Sequence, residues 1–170
     1  MPTSTCVFVK NATTGIATVL HNLPLGEGDV VVYFATGYGA VEKGLVALAE
    51  TRPGLQLRRV EYAFPVSHGE LVGAFEEVVA RVRQSEGLRV WAAVFDTVVS
   101  NPGVRFPFER LLGVCRREGI LSIVDGAHGV GMIPLDLGAL KPDFFTSNCH
   151  KYVLSFFFLL LLPSFFLGMS

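Results

Sequence analysis

The chain has 170 residues, a net charge of -1 and an isoelectric point near 6.4. That length is enough for one domain with a sizeable core, and the charge balance offers no basic excess for binding nucleic acid. The cysteines, Cys6, Cys115 and Cys149, are odd in number and far apart, which argues against a disulfide framework and for a reducing, cytoplasmic compartment.

In chain order, residues 6–11 (CVFVKN) predict a short strand, and residues 12–23 (ATTGIATVLHNL) a helix with a threonine-rich start. GEGD at 26–29 is a turn, and VVVYF at 30–34 a buried strand. Residues 37–50 read as a helix with Val41, Leu45 and Leu48 on its apolar side, and 55–63 as a strand. Residues 68–87 give the clearest helix, because Leu71, Phe75, Val78, Val79 and Val82 recur at helical spacing. A strand at 88–96, a helix at 106–119, and strands at 121–125 and 143–148 complete the alternation. Apolar strands alternating with helices predict an α/β fold of three layers, a mostly parallel sheet flanked by helices.

Open sheets of this kind bind ligands beyond the carboxyl ends of their strands. Polar residues gather at those ends: Asn11, Ala12, Thr13 and Thr14 after the first strand, Tyr38 in ATGYG, then Asp96 and Ser100, then Asp125 and His128 in VDGAH, then Asn148, His150 and Lys151. Residues 11–14 read either as an ordinary helix cap or as a phosphate holder, since a helix start offers free N–H groups and a positive dipole end. Asp125 is either a cap or the partner of a protonated heterocyclic nitrogen, and His128 either structural or functional. Lys151, if desolvated, becomes a competent amine nucleophile; a surface charge is the plainer reading.

Several chemistries lack their motif. GYGAVEKG places its third glycine two positions too late for a dinucleotide fingerprint, and neither a P-loop nor a G-x-S-x-G nucleophile turn is present. Asp125, His128, Cys149 and His150 have metal-ligating side chains, but their spacing matches no zinc pattern, and a continuing strand would turn Cys149 and His150 to opposite faces. No metal is expected. A phosphate holder, an aromatic, Asp-x-x-His and a lysine, in that order, together meet the needs of pyridoxal phosphate.

NATTG at 11–15, VDGAHGVGMIPLDLGALKPDFFTSN at 124–148 and the His150–Lys151 pair resemble the class V aminotransferase-like family of fold type I pyridoxal-phosphate enzymes. The similarity lies toward the cysteine desulfhydrases, hercynylcysteine sulfoxide lyases and isopenicillin N epimerases, and spans most of residues 6–152. The resemblance implies that Lys151 forms the Schiff base, that Asp125 pairs with the pyridinium nitrogen and that His128 meets the ring's phenolic oxygen. By the same resemblance Ala12, Thr13, Asn148 and His150 hold the phosphate, Tyr38 stacks on the ring, and Asp96 and Ser100 flank it. It implies an amino-acid substrate, C–S bond cleavage as the reaction, with epimerisation or transamination as alternatives, and a homodimeric parent enzyme.

Residues 153–170 carry no charge and contribute much of the mean hydropathy of +0.48. The run is somewhat short of the roughly 20 apolar residues of a membrane span, holds Pro163 and has no basic flank after it. Phe, Leu, Ser and Pro dominate it, and their codons are rich in pyrimidines. The expectation is therefore a division at residue 152: a partial cofactor-binding domain at 1–152, truncated at both ends, and a non-homologous tail at 153–170 from intron read-through. A second reading, of a different class, is a catalytically inactive product anchored in a membrane by that tail.

Overall fold

The computed structural model describes residues 6–152 and the backbone of residues 158–161. Its strands are β1 (Cys6–Val7), β2 (Asp29–Phe34), β3 (Gln56–Val60), β4 (Arg89–Asp96), β5 (Val98–Val99), β6 (Val104–Arg105), β7 (Leu121–Asp125), β8 (Phe144–Asn148) and β9 (Phe158–Leu161). Its helices are α1 (Ala12–Asn22), α2 (Gly39–Thr51), α3 (His68–Gln84), α4 (Phe108–Glu118), α5 (Leu137–Leu140) and α6 (Cys149–Tyr152).

Seven strands form one sheet in the order β1-β9-β8-β7-β4-β2-β3. β3, β2, β4, β7 and β8 run parallel, and β9 is antiparallel to both β8 and β1. Parallel strands need crossovers, and the helices supply them on both faces. The two cores show the resulting alternation. Val30, Val32 and Phe34 of β2 pack with Phe75 of α3 and Leu111 of α4, while Val31 packs with Ile16 of α1 and Leu45 of α2. The expected three-layer α/β architecture is the one observed.

The helix boundaries follow from local chemistry. α3 opens with a capping box: Ser67 Oγ accepts from the Glu70 N–H, and the Glu70 carboxylate accepts from the Ser67 N–H. α4 closes on Gly119 at φ 63°, the left-handed position that a glycine adopts without a Cβ clash.

Four details differ from the sequence reading. Among the described residues the first strand is Cys6–Val7, paired with β9, and the chain leaves the sheet at Phe8, which is mostly exposed. The β5–β6 hairpin and the one-turn helix α5 carried no apolar periodicity long enough to announce them. The last parallel strand ends at Asn148, and Cys149 and His150 begin the turn of α6, so the argument that placed them on opposite faces of a strand does not apply. Finally, the backbone of 158–161, inside the apolar run, forms β9. The remainder of 153–170 lies outside the described residues. Among the described residues no helix is long and apolar enough to cross a membrane.

Candidate active site

The carboxyl ends of β2, β4, β7 and β8 open onto one cavity of about 240 Å³ beside the N-terminus of α1. Ala12, Thr13, Tyr38, Asp125, His128, Asn148, His150 and Lys151 all line it. So do Asp96 and Ser100, together with Asn11 and Ala127. The topology thus gathers these residues at one place, although they come from segments more than a hundred positions apart, while Thr14 and Cys149 do not line the cavity. Among the described residues no cluster of metal-ligating side chains is found.

The α1 end of the cavity is fixed by two asparagines. Asn11 Oδ1 accepts from the Thr14 N–H at 2.7 Å, and Asn148 Oδ1 accepts from the Ala12 N–H at 2.9 Å in a buried contact. The second bond ties the start of α1 to the end of β8. The Thr13 N–H, in the first turn, has no intrahelical acceptor by position, so it and the Thr13 hydroxyl are donors that could meet an anion at this helix end. Because Asn148 is 6% exposed, replacing it leaves a buried donor unsatisfied. Asn148→Ala is therefore expected to cost about 1–3 kcal/mol, read as a lower midpoint of chemical denaturation.

The opposite wall carries the carboxylates. Asp125 ends β7, is 5% exposed, and its Oδ1 accepts from the Ala127 N–H at 2.9 Å. Burial raises its carboxyl above the ordinary range, and the Ala127 N–H and then the Lys151 charge hold that rise back. Asp96, at the end of β4, stands beside it in register.

Thr97 is fully buried and joins the two strand ends. Its N–H donates to the Asp125 carbonyl at 2.9 Å, and its own carbonyl accepts from the Phe106 N–H. The turn after β7 is held down by β8: the Gly126 N–H donates to the Thr146 carbonyl at 2.7 Å, and Ser147 Oγ donates to the Gly126 carbonyl at 2.7 Å. From sequence Thr97 and Ala127 stood only as residues following strand ends and Ser147 as part of a strand, none of them with a role. Their only signal was adjacency to Asp96, Asn148 and Asp125, and side-chain bonds between strand ends have no periodicity.

Lys151, on α6, reaches back across the opening, with Nζ 2.8 Å from His128 Nε2. An ammonium donates, so His128 accepts in its neutral form; burial, and then the Lys151 charge, lower the imidazole's proton affinity and favour that form. Tyr38 is the N-cap residue of α2 and stands half exposed at the rim. Cys115 lies away from this site, and burial pushes its thiol up to about 12, so it offers no ready thiolate.

The combination is an anion-holding helix end, a buried carboxylate, and an amine next to a neutral imidazole, all around one cavity. It suits a ligand with a phosphate, a basic ring nitrogen and an aldehyde, because each wall meets one of these groups.

Comparison with known proteins agrees in family and in fold. Residues 1–155 match the aminotransferase class-V family. The chain is 51% identical over 150 residues to L-cysteine desulfhydrase-like protein lolT1 of Epichloe uncinata, covering 88% of this chain and 33% of that protein. It is 37% identical over 154 residues to a probable chloroplastic L-cysteine desulfhydrase of Arabidopsis thaliana, covering 85% of this chain and 32% of that protein. The chain thus spans about a third of the length of these curated relatives. Among solved structures, the cystine C-S lyase C-DES in complex with its reaction product, cysteine persulfide, superposes with a TM-score of 0.85 at 22% identity, covering 96% of this chain and 42% of that one.

Proposed function

Because the chain belongs to the aminotransferase class-V family, we propose that it is the cofactor-binding part of a pyridoxal-phosphate enzyme that cleaves a C–S bond in a cysteine-like amino acid. The observation that carries this reading is the convergence of Lys151, Asp125, His128 and the α1 N-terminus on a single cavity. The two desulfhydrase relatives and the C-S lyase fold support the choice of bond.

Each residue then has a task set by its chemistry. Thr13, at the start of α1, holds the phosphate with its N–H and hydroxyl, helped by the helix dipole. Asn148 keeps α1 in place through the Ala12 N–H, so it acts on the phosphate site by positioning. Asp125, ionised, accepts the proton-bearing ring nitrogen, and Tyr38 covers a ring face from the rim. Lys151 supplies the amine that binds the aldehyde, and His128 accepts a proton from that amine at Nε2. When bound, pyridoxal phosphate supplies an electron sink that makes loss of the substrate's Cα proton feasible.

The reading also takes the active form as a cytoplasmic homodimer with a small amino-acid substrate, and residues 153–170 as a segment apart from the family sequence. The sequence of the spliced transcript across codon 153 tests that division. For the reaction, a version extended to the full length of the relatives is incubated with pyridoxal phosphate and cysteine. Sulfide release is the expected result. Racemised cysteine without sulfide would reassign the activity to epimerisation, and the absence of both would remove the C–S lyase and epimerase readings.

A further inference from the structure

Two carboxylates stand side by side on the cavity wall. Asp96 and Asp125 are register partners on the neighbouring parallel strands β4 and β7, so their side chains leave the same face of the sheet, with backbones about 5 Å apart. Asp96 is 9% exposed and Asp125 is 5% exposed. Little water screens them, and two like charges at such range do not both ionise readily.

Their surroundings are unequal. Asp125 Oδ1 has a fixed donor in the Ala127 N–H. Among the described residues the donor that serves the Asp96 carboxyl is its own backbone N–H. Lys151 from α6 acts on both carboxyls, the Tyr62 hydroxyl beyond β3 feels Asp96, and His128, whose Nε2 accepts a hydrogen bond from Lys151, and His150 line the same cavity. Among the described residues the positive charge that acts on both carboxyls is that of Lys151, and one such charge offsets one carboxylate.

From this geometry we propose that Asp96 and Asp125 hold a single proton between them, resident on Asp96, so that the site presents a carboxylic acid beside a carboxylate. Burial first, and then the charge of Asp125, push the Asp96 carboxyl well above the ordinary aspartate range, in agreement with that assignment. A neutral Asp96 donates a hydrogen bond to an anionic oxygen of the ligand, while ionised Asp125 accepts one from a protonated nitrogen. One wall thus distinguishes two edges of a heteroaromatic ring. The match to ring oxygen and ring nitrogen rests on the pyridoxal-phosphate reading; the shared proton rests on the protein alone.

The test therefore uses this chain with no cofactor added. Carboxyl resonances of the carbon-13 aspartate-labelled protein are followed from acid to neutral pH. One resonance is expected to keep its protonated shift well above the ordinary aspartate range, to be absent from Asp96→Asn, and to titrate closer to that range in Asp125→Asn.

Stability gives a second readout. The folded chain keeps a proton that the unfolded chain releases, so stability falls as pH rises from the ordinary aspartate range through the raised value of Asp96. That fall is expected to flatten in Asp96→Asn. The proposal is overturned if every carboxyl titrates in the ordinary range, or if the protonated resonance survives in Asp96→Asn. Should that variant not fold, the wild-type titration still decides whether a proton is retained, and its shift in Asp125→Asn decides whether the pair holds it. A failure to bind pyridoxal phosphate leaves these resonances untouched, so the two readings fail separately.

Discussion

Lys151→Ala is expected to abolish the borohydride-reducible absorbance band that forms when pyridoxal phosphate is added to the wild-type chain. The chain has lysines at positions 10, 43, 141 and 151, and of these only Lys151 lines the cavity. Its Nζ faces His128 Nε2 at 2.8 Å, and a neutral imidazole there can take the proton that a nucleophilic amine must lose. Removing the amine leaves Thr13, Asn148 and Asp125 in place. Non-covalent binding therefore survives in part, while the fraction fixed by borohydride falls to background. Lys43→Ala, on α2, is the control and keeps the band. Mass spectrometry after reduction places the adduct: a modified peptide containing Lys151 supports the assignment. An undiminished band in Lys151→Ala would mean that another amine forms the link, and the reading of the site would be lost.

How much of this was legible in the sequence differs with the kind of interaction. The helices α3 and α4 and the strands β2, β4 and β7 announced themselves, because burial on fixed faces leaves a period in the apolar residues. Leu71, Phe75, Val78, Val79 and Val82 were read as one face, and all five are buried. The candidate site was legible for a different reason. In a parallel sheet every strand points its carboxyl end the same way, so knowing the strands gives the residues that follow them. Asp96, Asp125 and Asn148 end their strands, and the cavity holds them together.

What sequence could not show were contacts between neighbouring strand ends. The bond from Asn148 to the Ala12 N–H joins positions 136 apart, and Thr97 reaches across to the Asp125 carbonyl. Both depend on strand order, which connects β4 to β7 and β7 to β8, and no local pattern encodes that order. The end of β8 at Asn148 agrees with the sequence reading, but the helical turn after it was not seen, for a related reason. Cys149 and His150 have no strong helical signature, and the α6 turn depends on its place in the fold.

The second large effect concerns the turn that presents His128. Gly126→Ala is expected to destabilise the chain by about 3 kcal/mol, the upper end of what overpacking costs. A Cβ built at Gly126 falls onto Cζ of Phe145 and lies within 3 Å of two more of its ring atoms. Phe145 is 1% exposed and belongs to the core on the α3 and α4 side, so its ring has little free space to enter. Nor can the backbone of Gly126 retreat cheaply, because its N–H is bonded to the Thr146 carbonyl and its carbonyl to Ser147 Oγ. Relief must come from moving the 126–129 turn outward. That movement carries Ala127 away from Asp125 and His128 away from Lys151, so cofactor loading drops together with stability.

Steric conflict and simple loss of backbone freedom predict different things of a second change. Phe145→Leu removes the offending ring edge and leaves a cavity of its own. If the clash is the cause, Gly126→Ala costs markedly less in the Phe145→Leu background, with a coupling of about 1–2 kcal/mol across the four denaturation midpoints. Strictly additive costs would instead place the effect in the glycine's backbone and remove Phe145 as the support beneath the site. A rescue of both stability and the reducible band in the double variant would tie the packing of one buried ring to the placement of Asp125 and His128.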